Sequence, residues 1–373
     1  MSRINVSKLT NENEEGGPSV SGISTFSSTA FLVPPKGTTA QRPESVTPGM
    51  IRFNTDSGHL EYYNGVEWTE VLVANNSLDG GNRGVFAGGN NPPVNIIDYV
   101  TISTLGNAAD FGDLTGSSRW GITGCSSSTR GLFASGFIGP SSFYNIIEYV
   151  TISSTGNSAD FGDLTQTTYI PGSCSSSTRG LFAGGAIAPS FASTNVISYV
   201  TIASTGDAID YGDLSVTRQF LRGCSSSTRG IFGGGNGSSN VIDYVTISST
   251  GNASDFGDLT TVRSELGVCS NSTRGIFGGG EVASPATFTN IIDYITISTL
   301  GDAVDFGDLI SQTKSLTACA SSTRGLFAGG IAPSNVNTIN YVTILSTGNA
   351  QDFGDLTDTR RDLGACSNGH GGL

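Results

Sequence analysis

The sequence predicts an all-β protein whose larger part consists of six copies of one four-stranded unit. One copy, residues 229–273, reads RGIFGGGNGSSNVIDYVTISSTGNASDFGDLTTVRSELGVCSNST, and near-copies of it fill residues 82–373. Counted from the Arg that opens each copy, the spacings are 47, 49, 50, 45 and 50 residues. Such a period is typical of the blades of a β-propeller, so we expect six blades.

Each copy divides into four short strands. In residues 229–273 these are an apolar run that ends in glycines (IFGGG), an alternating run (NVIDYVTI), the segment FGDL and the segment LGVCS. Alternation with a period of two, bounded by Gly, Ser, Asn and Asp, is typical of strands and hairpins. Because nothing in the repeat has helical spacing, the unit is expected to be entirely β.

The layout of the repeat resembles the kelch blade, although the usual Trp of that blade is missing. The diglycine recurs in five copies, and Ala134-Ser135-Gly136 is the variant. More narrowly, DYVTISSTGNASDFGDLT and CSSSTRGLFAGG are similar to repeats of structural proteins from marine bacteriophages. The first resemblance implies a six-bladed kelch-like propeller, and the second implies a virion protein.

The two ends of the repeat region predict how the sheets are completed. The region begins at Asn82 with a diglycine strand and finishes with a Cys-bearing strand in LGACSNGHGGL. Each of these strands lacks a partner within its own copy. We therefore expect the strand around Cys366 to complete the sheet that begins at Val85, which leaves no open sheet edge.

Composition restricts the partners. The chain has 52 Gly, 13% charged residues and a net charge of −13. An acidic protein is not expected to bind nucleic acid, because phosphate binding needs a basic surface. No apolar run of 18 residues and no signal-peptide pattern is present, so we expect synthesis in the host cytoplasm and no membrane insertion.

The N-terminal quarter predicts an attachment region. Residues 1–25 are polar and lack periodicity, which suits an extended arm that is disordered or wraps a partner. Residues 26–73 predict a small β-meander module: a strand at 29–35, a turn-rich connector, and three strands with a turn at 55–58 and a two-residue hairpin turn at Asn64-Gly65. Residues 74–81 form a polar linker to the propeller at 82–373.

The segment 37–71 is similar to a module of phage tail and fibre proteins. This resemblance implies that the N-terminal region binds other virion structural proteins. Some fifty residues with a single sheet make a marginal core, so we expect a homo-oligomer, with a trimer favoured.

Charged residues that recur in every copy predict repeated ion pairs rather than chemistry. The tripeptide Asp-Phe-Gly imitates a kinase metal-binding motif, but it stands in every copy, with Tyr in place of Phe once, and the other kinase motifs are missing. We expect a guanidinium–carboxylate bond within or between blades, with calcium binding by the carboxylates as the alternative. The residues are Arg83, Arg130, Arg179, Arg229, Arg274 and Arg324, with Asp110, Asp160, Asp210, Asp255, Asp305 and Asp352.

Cysteine also occurs once per copy. Only two histidines, His59 and His370, are present, so ligands for zinc are not clustered. We expect reduced, buried thiols on an innermost strand. They are Cys125, Cys174, Cys224, Cys269, Cys319 and Cys366.

No catalytic motif is recognisable. The chain has no GxSxG, HExxH or phosphate-binding loop, and we assign no catalytic residue, cofactor or metal site. Scattered Asp and Glu leave a carbohydrate-active enzyme open as an alternative, which a deep pocket with two facing carboxylates would favour.

The segments that differ between copies predict the binding surface. They follow the diglycine strand or precede the Cys-bearing strand, so they emerge at one end of each blade. Aromatic and basic residues there suit sugar rings or a protein surface. They are Trp120, Phe143, Tyr144, Tyr169, Phe191, Arg218, Phe220, Arg222, Phe288, Lys314 and Arg361.

These observations together predict a non-enzymatic virion structural protein, such as a tail fibre or another appendage. Its propeller would bind a glycan or an outer-membrane protein of the host cell. A passive decoration or spacer protein of capsid or tail is the alternative within the same setting.

Overall fold

A computed structural model describes residues 34–71, 82–139, 142–236, 239–283 and 286–373. The protein is all-β, and its described helical structure is a single three-residue 3-10 helix at Thr39–Gln41. The chain divides into two compact units, residues 1–75 and 76–373. The expected arm at 1–25, most of the strand at 29–35 and the linker at 74–81 lie outside the described residues.

The first unit contains one four-stranded sheet in the order β1-β2-β3-β4. The expected three-strand meander is present, and a short parallel strand, β1, adds a fourth member next to β2. The strands are β1 (Lys36–Gly37), β2 (Ile51–Asn54), β3 (His59–Tyr63) and β4 (Trp68–Val71).

The turn between β3 and β4 is longer than the sequence predicts. Tyr63 pairs with Trp68, so the loop has four residues rather than the two expected at Asn64-Gly65. The side-chain oxygen of Asn64 accepts hydrogen bonds from the backbone N–H groups of Val66 and Glu67. Asn therefore organises a wider turn through its side chain, and the prediction of a two-residue hairpin is wrong.

A buried carboxylate holds the first sheet and its connector together. Glu61 is fully buried, and Arg42 donates to it at 2.6 Å while Arg52 lies 3.4 Å away. Asn54 donates to the same carboxylate at 3.2 Å. The hydrogen bond from Arg42 keeps the pKa of Glu61 below its usual value despite the opposing effect of burial.

The second unit contains six four-stranded antiparallel sheets with one strand order. From one edge to the other, each sheet has a Cys strand, an Arg strand, a Tyr strand and an outer strand that carries the DFGD or DYGD segment. We number the sheets 1–6 by their Arg strands. The four strands expected from each copy are thus confirmed.

The strands are defined as follows. The Arg strands are β5 (Arg83–Ala87), β9 (Arg130–Ala134), β14 (Arg179–Ala183), β20 (Arg229–Gly233), β24 (Arg274–Gly278) and β30 (Arg324–Ala328). The Tyr strands are β6 (Ile96–Thr101), β10 (Ile146–Thr151), β17 (Val196–Thr201), β21 (Val241–Thr246), β27 (Ile291–Thr296) and β31 (Thr338–Thr343). The outer strands are β7 (Ala109–Asp113), β11 (Ala159–Asp163), β18 (Ile209–Asp213), β22 (Ser254–Asp258), β28 (Val304–Asp308) and β32 (Gln351–Asp355). The Cys strands are β8 (Thr123–Ser126), β13 (Gly172–Ser175), β19 (Arg222–Ser225), β23 (Gly267–Ser270), β29 (Thr317–Ala320) and β33 (Gly364–Ser367).

Small additional strands lie at one end of sheets 3 and 5. They are β12 (Thr168–Tyr169), β15 (Ala186–Ile187), β16 (Ala192–Ser193), β25 (Glu281–Ala283) and β26 (Ala286–Phe288). β12, β15 and β16 form a three-stranded sheet, and β25 pairs with β26.

The last strand of the chain completes the first sheet. β33 pairs antiparallel with β5, and Cys366 lies opposite Val85. The pairing predicted from the incomplete first and last copies is confirmed. Sheet 1 therefore joins residues from the two ends of the repeat region.

Hydrogen bonds between consecutive sheets follow a cyclic order. In each STGN-type turn, the backbone N–H of the glycine donates a hydrogen bond to the outer strand of the preceding sheet. The acceptor is the carbonyl of an aromatic residue, and the bond covers the edge of that outer strand. The bonds run from Gly156 to Phe111, Gly206 to Phe161, Gly251 to Tyr211, Gly301 to Phe256, Gly348 to Phe306, and Gly106 to Phe353. The Cys strands likewise contact one another in the order β33, β8, β13, β19, β23, β29 and again β33.

Apolar side chains between neighbouring sheets form the core. Phe86, Phe133 and their counterparts on the other Arg strands are almost completely buried. The glycine after the opening Arg allows this close approach: a Cβ at Gly131 would lie 2.7 Å from the sulfur of Cys366 in the neighbouring sheet. All six cysteines are free and buried, as expected, and burial raises the pKa of each thiol.

Candidate binding face

The segments that vary between copies lie at one end of the sheets of the second unit. Each sheet contributes the connection between its Arg and Tyr strands and the segment that precedes its Cys strand. We call this end the variable face. The end with the STGN and CSSST turns is the repeated face.

In each sheet, the residue two positions before the start of the Cys strand has a left-handed backbone conformation, with a positive φ angle. Five backbone hydrogen bonds link neighbours within this set; for example, the N–H of Asp362 donates to Ser315 and the N–H of Gly121 donates to Asp362. Non-glycine residues at such dihedral angles are uncommon and mark a constrained site. The set consists of Gly121 (φ 71°), Ile170 (φ 53°), Phe220 (φ 61°), Glu265 (φ 56°), Ser315 (φ 55°) and Asp362 (φ 55°).

An aromatic cluster covers the part of the variable face that belongs to sheets 2–4. We call it the aromatic patch, and it consists of Trp120, Phe137, Phe143, Tyr169, Phe191 and Phe220. Ring centroids of Trp120 and Phe137 lie 4.9 Å apart, and those of Phe143 and Phe191 lie 5.1 Å apart. Edge-to-face and tilted rings at these distances attract one another beyond the burial of their area. The loops therefore hold these rings as a pre-formed cluster.

The aromatic patch is only partly accessible. Phe137 and Tyr169 are each 8% exposed, whereas Phe191 is 43% exposed. Trp120, Phe143 and Phe220 are half-buried at its border. Tyr169, which was predicted for the binding surface, is buried instead, because the five other rings of the patch surround it. Phe137, which the sequence reasoning missed, lies at the centre of the patch.

Two basic residues predicted for the binding surface are buried instead. Arg218 is 0% exposed and donates to Asp243 at 2.7 Å, and Arg222 is 7% exposed at the start of β19. Arg218 is held below the surface by the buried carboxylate of Asp243, and Arg222 is the first residue of the Cys strand itself. The remaining predicted residues, Tyr144, Phe288, Lys314 and Arg361, are half-buried on the variable face.

A charged group adjoins the aromatic patch. Lys314 lies 2.8 Å from Glu281 and 3.4 Å from Glu265, and its amine stands 5.2 Å from the ring centre of Phe288. Burial lowers the pKa of Lys314, but the two carboxylates outweigh this effect and raise it. The variable face thus has a group of ion-paired side chains next to the aromatic patch.

A carboxyl group with a raised pKa lies in the same region. Asp362 is 6% exposed and lies 3.5 Å from Arg361. Burial and the nearby carboxylate of Glu265 raise the pKa of Asp362 to about 6, against the opposing effects of Arg222 and Arg361. Neither Glu265 nor Asp362 lines the two cavities enclosed by the Cys strands.

Four buried ion pairs support the variable face from below. Arg119 pairs with Glu148 at 2.5 Å, Arg218 with Asp243 at 2.7 Å, Arg263 with Asp293 at 2.6 Å, and Arg360 with Asp98 at 2.5 Å. In each pair, the Arg precedes a Cys strand by a fixed interval and the acid lies on the Tyr strand of the same sheet.

The sequence contains a signal for these pairs in the way that the copies differ from one another. At the two equivalent positions, sheet 3 has Thr168 with Ser198, and sheet 6 has Thr313 with Asn340. Within this chain, a charged residue at one position accompanies a charged residue at the other, and a neutral one accompanies a neutral one. Such paired variation indicates spatial contact.

The ion pairs predicted between the opening Arg and the DFGD carboxylates are wrong. Among the described residues, none of the six opening Arg residues forms an ion pair. Arg229 instead lies over the ring of Tyr244 at 4.6 Å and donates to the carbonyl of Ile297 in the next sheet at 2.7 Å. The reason is geometric: the Tyr strand separates the Arg strand from the outer strand, so the two charges lie roughly two strand spacings, about 10 Å, apart.

The same arrangement recurs in the other five sheets. Each guanidinium stacks on the Tyr of its own sheet at 4.4–5.0 Å and donates to an Ile carbonyl of the following sheet. The bonds join Arg83 to Ile152, Arg130 to Ile202, Arg179 to Ile247, Arg274 to Ile344 and Arg324 to Ile102. Asp110, Asp160, Asp210, Asp255, Asp305 and Asp352 are exposed.

Within the described ranges, no three His, Cys, Asp or Glu side chains are grouped so as to hold a metal ion. The same residues contain no helix with the length and apolar character needed to cross a membrane. Compared with known proteins, the chain matches no protein-family model and resembles no curated protein sequence.

Proposed function

We propose that the six sheets of the second unit are the blades of one six-bladed, kelch-like β-propeller. Three features support this proposal: the common strand order, the completion of sheet 1 by β33, and the cyclic order of the hydrogen bonds between sheets. In a propeller, each blade contacts only its two neighbours and the first blade contacts the last. The bonds from Gly106 to Phe353 and from Arg324 to Ile102 fit that requirement.

We further propose that the protein is a non-enzymatic structural component of a bacteriophage virion. In this proposal it is a tail fibre or another appendage that binds a host surface glycan or outer-membrane protein. Residues 1–73 bind other virion proteins, and the propeller carries the aromatic patch. The resemblance of the repeats and of segment 37–71 to phage structural proteins supports the setting, and the aromatic patch supports the binding role.

The aromatic patch is the observation that carries the binding role. Its residues lie on the loops that vary most between copies, whereas the blade framework is repeated. A pre-ordered cluster of rings loses little conformational freedom on binding, and aromatic residues dominate the energy of many interfaces. The exposed edge of Phe191 next to the half-buried Phe143 offers an apolar surface on which a sugar ring can stack.

A pair of variants with a matched control tests the binding role. Phe143→Ser with Phe191→Ser should reduce adsorption to host cells at least tenfold, while the melting temperature changes by only a few degrees. Leu300→Ser with Leu345→Ser is the control, because these residues are 59% and 61% exposed on the repeated face. The control should adsorb normally. Equal adsorption by both variants would contradict the proposal.

The position of the chain in the virion tests the setting separately. A reconstruction of the whole particle should show its density at the outer end of the tail. Density on the capsid lattice, together with normal adsorption of the aromatic variants, would favour the alternative of a decoration or spacer protein.

A further inference from the structure

Arg222 differs from the other fully buried arginines in its partners. It is 7% exposed, and its guanidinium makes a single hydrogen bond, 3.4 Å long, to the carbonyl of the preceding residue, Leu221. Arg119, Arg218, Arg263 and Arg360 each have a carboxylate at 2.5–2.7 Å. Among the described residues, Arg222 has no carboxylate within ion-pair distance.

The two carboxylates that attract Arg222 have closer partners of their own. Glu265 and Asp362 attract the guanidinium only from beyond ion-pair distance. Glu265 already accepts a hydrogen bond from Ser315 and lies 3.4 Å from Lys314, and Asp362 lies 3.5 Å from Arg361. A buried charge without a close partner is strongly unfavourable, so a counter-charge in direct contact would stabilise this guanidinium.

A cavity of about 30 Å³ lies next to Arg222, between the starting ends of the Cys strands. Hydroxyl-bearing residues Thr123, Ser173 and Thr317 line it, together with glycine and small apolar residues. Arg222 is its one charged lining residue. A cavity of this size holds about one or two water-sized species, and it is too small for a sulfate or a phosphate with its hydrogen-bond shell.

Arg222 stands at a position of the repeat where the other five copies have an uncharged residue. The equivalent residues that start the other Cys strands are Thr123, Gly172, Gly267, Thr317 and Gly364. One copy in six therefore places a cation here, and two others place hydroxyl groups. The Thr123 hydroxyl is already bonded to Ser173, 2.5 Å away, because Ser173 donates its own proton to the carbonyl of Gly124. The guanidinium of Arg222 and the hydroxyl of Thr317 are therefore the donors left for a ligand, and this combination suits a single small anion.

We propose that the cavity binds one small monovalent anion of chloride size. Arg222 supplies the opposite charge, and the hydroxyl group of Thr317 supplies a second donor. Bound water alone would satisfy hydrogen bonds but would place no opposite charge in contact with the guanidinium. The anion thereby joins sheets 4 and 6 near the centre of the variable face.

Thermal unfolding in sodium chloride, sodium bromide and sodium gluconate at one constant ionic strength tests this proposal. Gluconate is too large for the cavity. The melting temperature of the full-length chain should rise by about 2 °C for each tenfold increase in halide above the dissociation constant. Arg222→Gln should abolish this halide dependence. Arg361→Gln, which removes a half-buried guanidinium at the same face, should retain it.

A second measurement does not depend on whether Arg222→Gln folds. Crystals of the unaltered protein grown in sodium bromide should show an anomalous scattering peak within hydrogen-bond distance of the Arg222 guanidinium. No peak in the cavity, or equal halide dependence in Arg222→Gln and the unaltered chain, would overturn the proposal.

Discussion

Arg360 donates to Asp98 at 2.5 Å although 262 positions separate the two residues in the chain. The bond joins the segment before the last Cys strand to the Tyr strand of sheet 1. Asp98 also accepts from the hydroxyl of Thr357 at 2.7 Å. The two ends of the repeat region are therefore connected by a buried ion pair as well as by the pairing of β33 with β5.

The first prediction concerns β33. Removal of residues 362–373 should abolish cooperative unfolding, because it deletes the partner of β5 and exposes two sheet edges. Removal of residues 371–373 is the control, since it leaves β33 intact and should preserve a cooperative melt. Circular dichroism on heating distinguishes the two outcomes. Cooperative melting of the longer deletion would show that the first sheet does not need its fourth strand.

The second prediction concerns the Arg360–Asp98 pair. Asp98→Ser leaves a buried guanidinium without its carboxylate and should lower the free energy of unfolding by about 3–5 kcal/mol. Adding Arg360→Thr should restore part of this loss, because the double variant reproduces the neutral pair that sheet 3 uses, Thr168 with Ser198. Denaturant unfolding of both single variants and the double variant measures the coupling. Additive losses would mean that the two groups act independently.

The repeat period and the alternation of strands were sufficient to predict the four strands of each copy and the completion of sheet 1. Contacts between side chains were harder to predict, because they depend on which strands lie between two residues. Residues equivalent to Arg229 and Asp255 occur in every copy, and this repetition suggested an ion pair. The Tyr strand lies between the two residues, so Arg229 contacts Tyr244 instead. By contrast, the Arg119–Glu148 pair could have been found by comparing the copies with one another.

Burial on the variable face could not be predicted from the sequence. Tyr169 stands in a variable loop, as exposed aromatic residues do, but it is covered by rings from four other loops that come from distant parts of the chain. Arg222 and Arg361 both stand close to the start of a Cys strand, yet Arg222 is buried and Arg361 is half-buried. Both differences arise from packing between sheets.

The third prediction separates the stacking role of Arg229 from the ion-pair role first expected for it. Arg229→Ala removes the contact with Tyr244 and the hydrogen bond to Ile297, so it should cost about 2 kcal/mol of stability. Asp255→Ala should change stability by no more than about 0.5 kcal/mol, because this carboxylate is exposed. Equal losses in the two variants, measured by denaturant unfolding, would support an ion pair after all.

The fourth prediction concerns Asp362. Its pKa is raised from 3.8 to about 6 in the folded protein, so between these values the folded state binds more protons than the unfolded state. Stability from this group is therefore present at low pH and is lost as pH rises through 6, by an amount on the order of 3 kcal/mol. Asp362→Asn should become progressively more stable relative to the unaltered chain between pH 4 and pH 7. A difference that stays constant with pH would show that Asp362 titrates normally.

The fifth prediction concerns His370, which lies near the finishing ends of the Cys strands. Its Nε2 atom lies 2.9 Å from the carbonyl oxygen of Ser126, and its Nδ1 atom accepts from the N–H of Gly372 at 3.0 Å. Burial lowers the pKa of His370 from 6.5 to about 4. The folded state therefore holds a neutral imidazole that the unfolded state would protonate.

The sign for His370 is opposite to that for Asp362. Between pH 6.5 and pH 4 the unfolded state binds more protons, so the stability that His370 contributes is lost as pH falls through this range. His370→Gln should be less stable than the unaltered chain at pH 8, where the native contacts of the neutral imidazole are intact. That difference should shrink as the pH approaches 4, whereas Asp362→Asn should show the reverse trend. Melting temperatures of the three proteins in matched buffers from pH 4 to pH 8 provide the measurement, and parallel curves for His370→Gln and the unaltered chain would contradict the prediction.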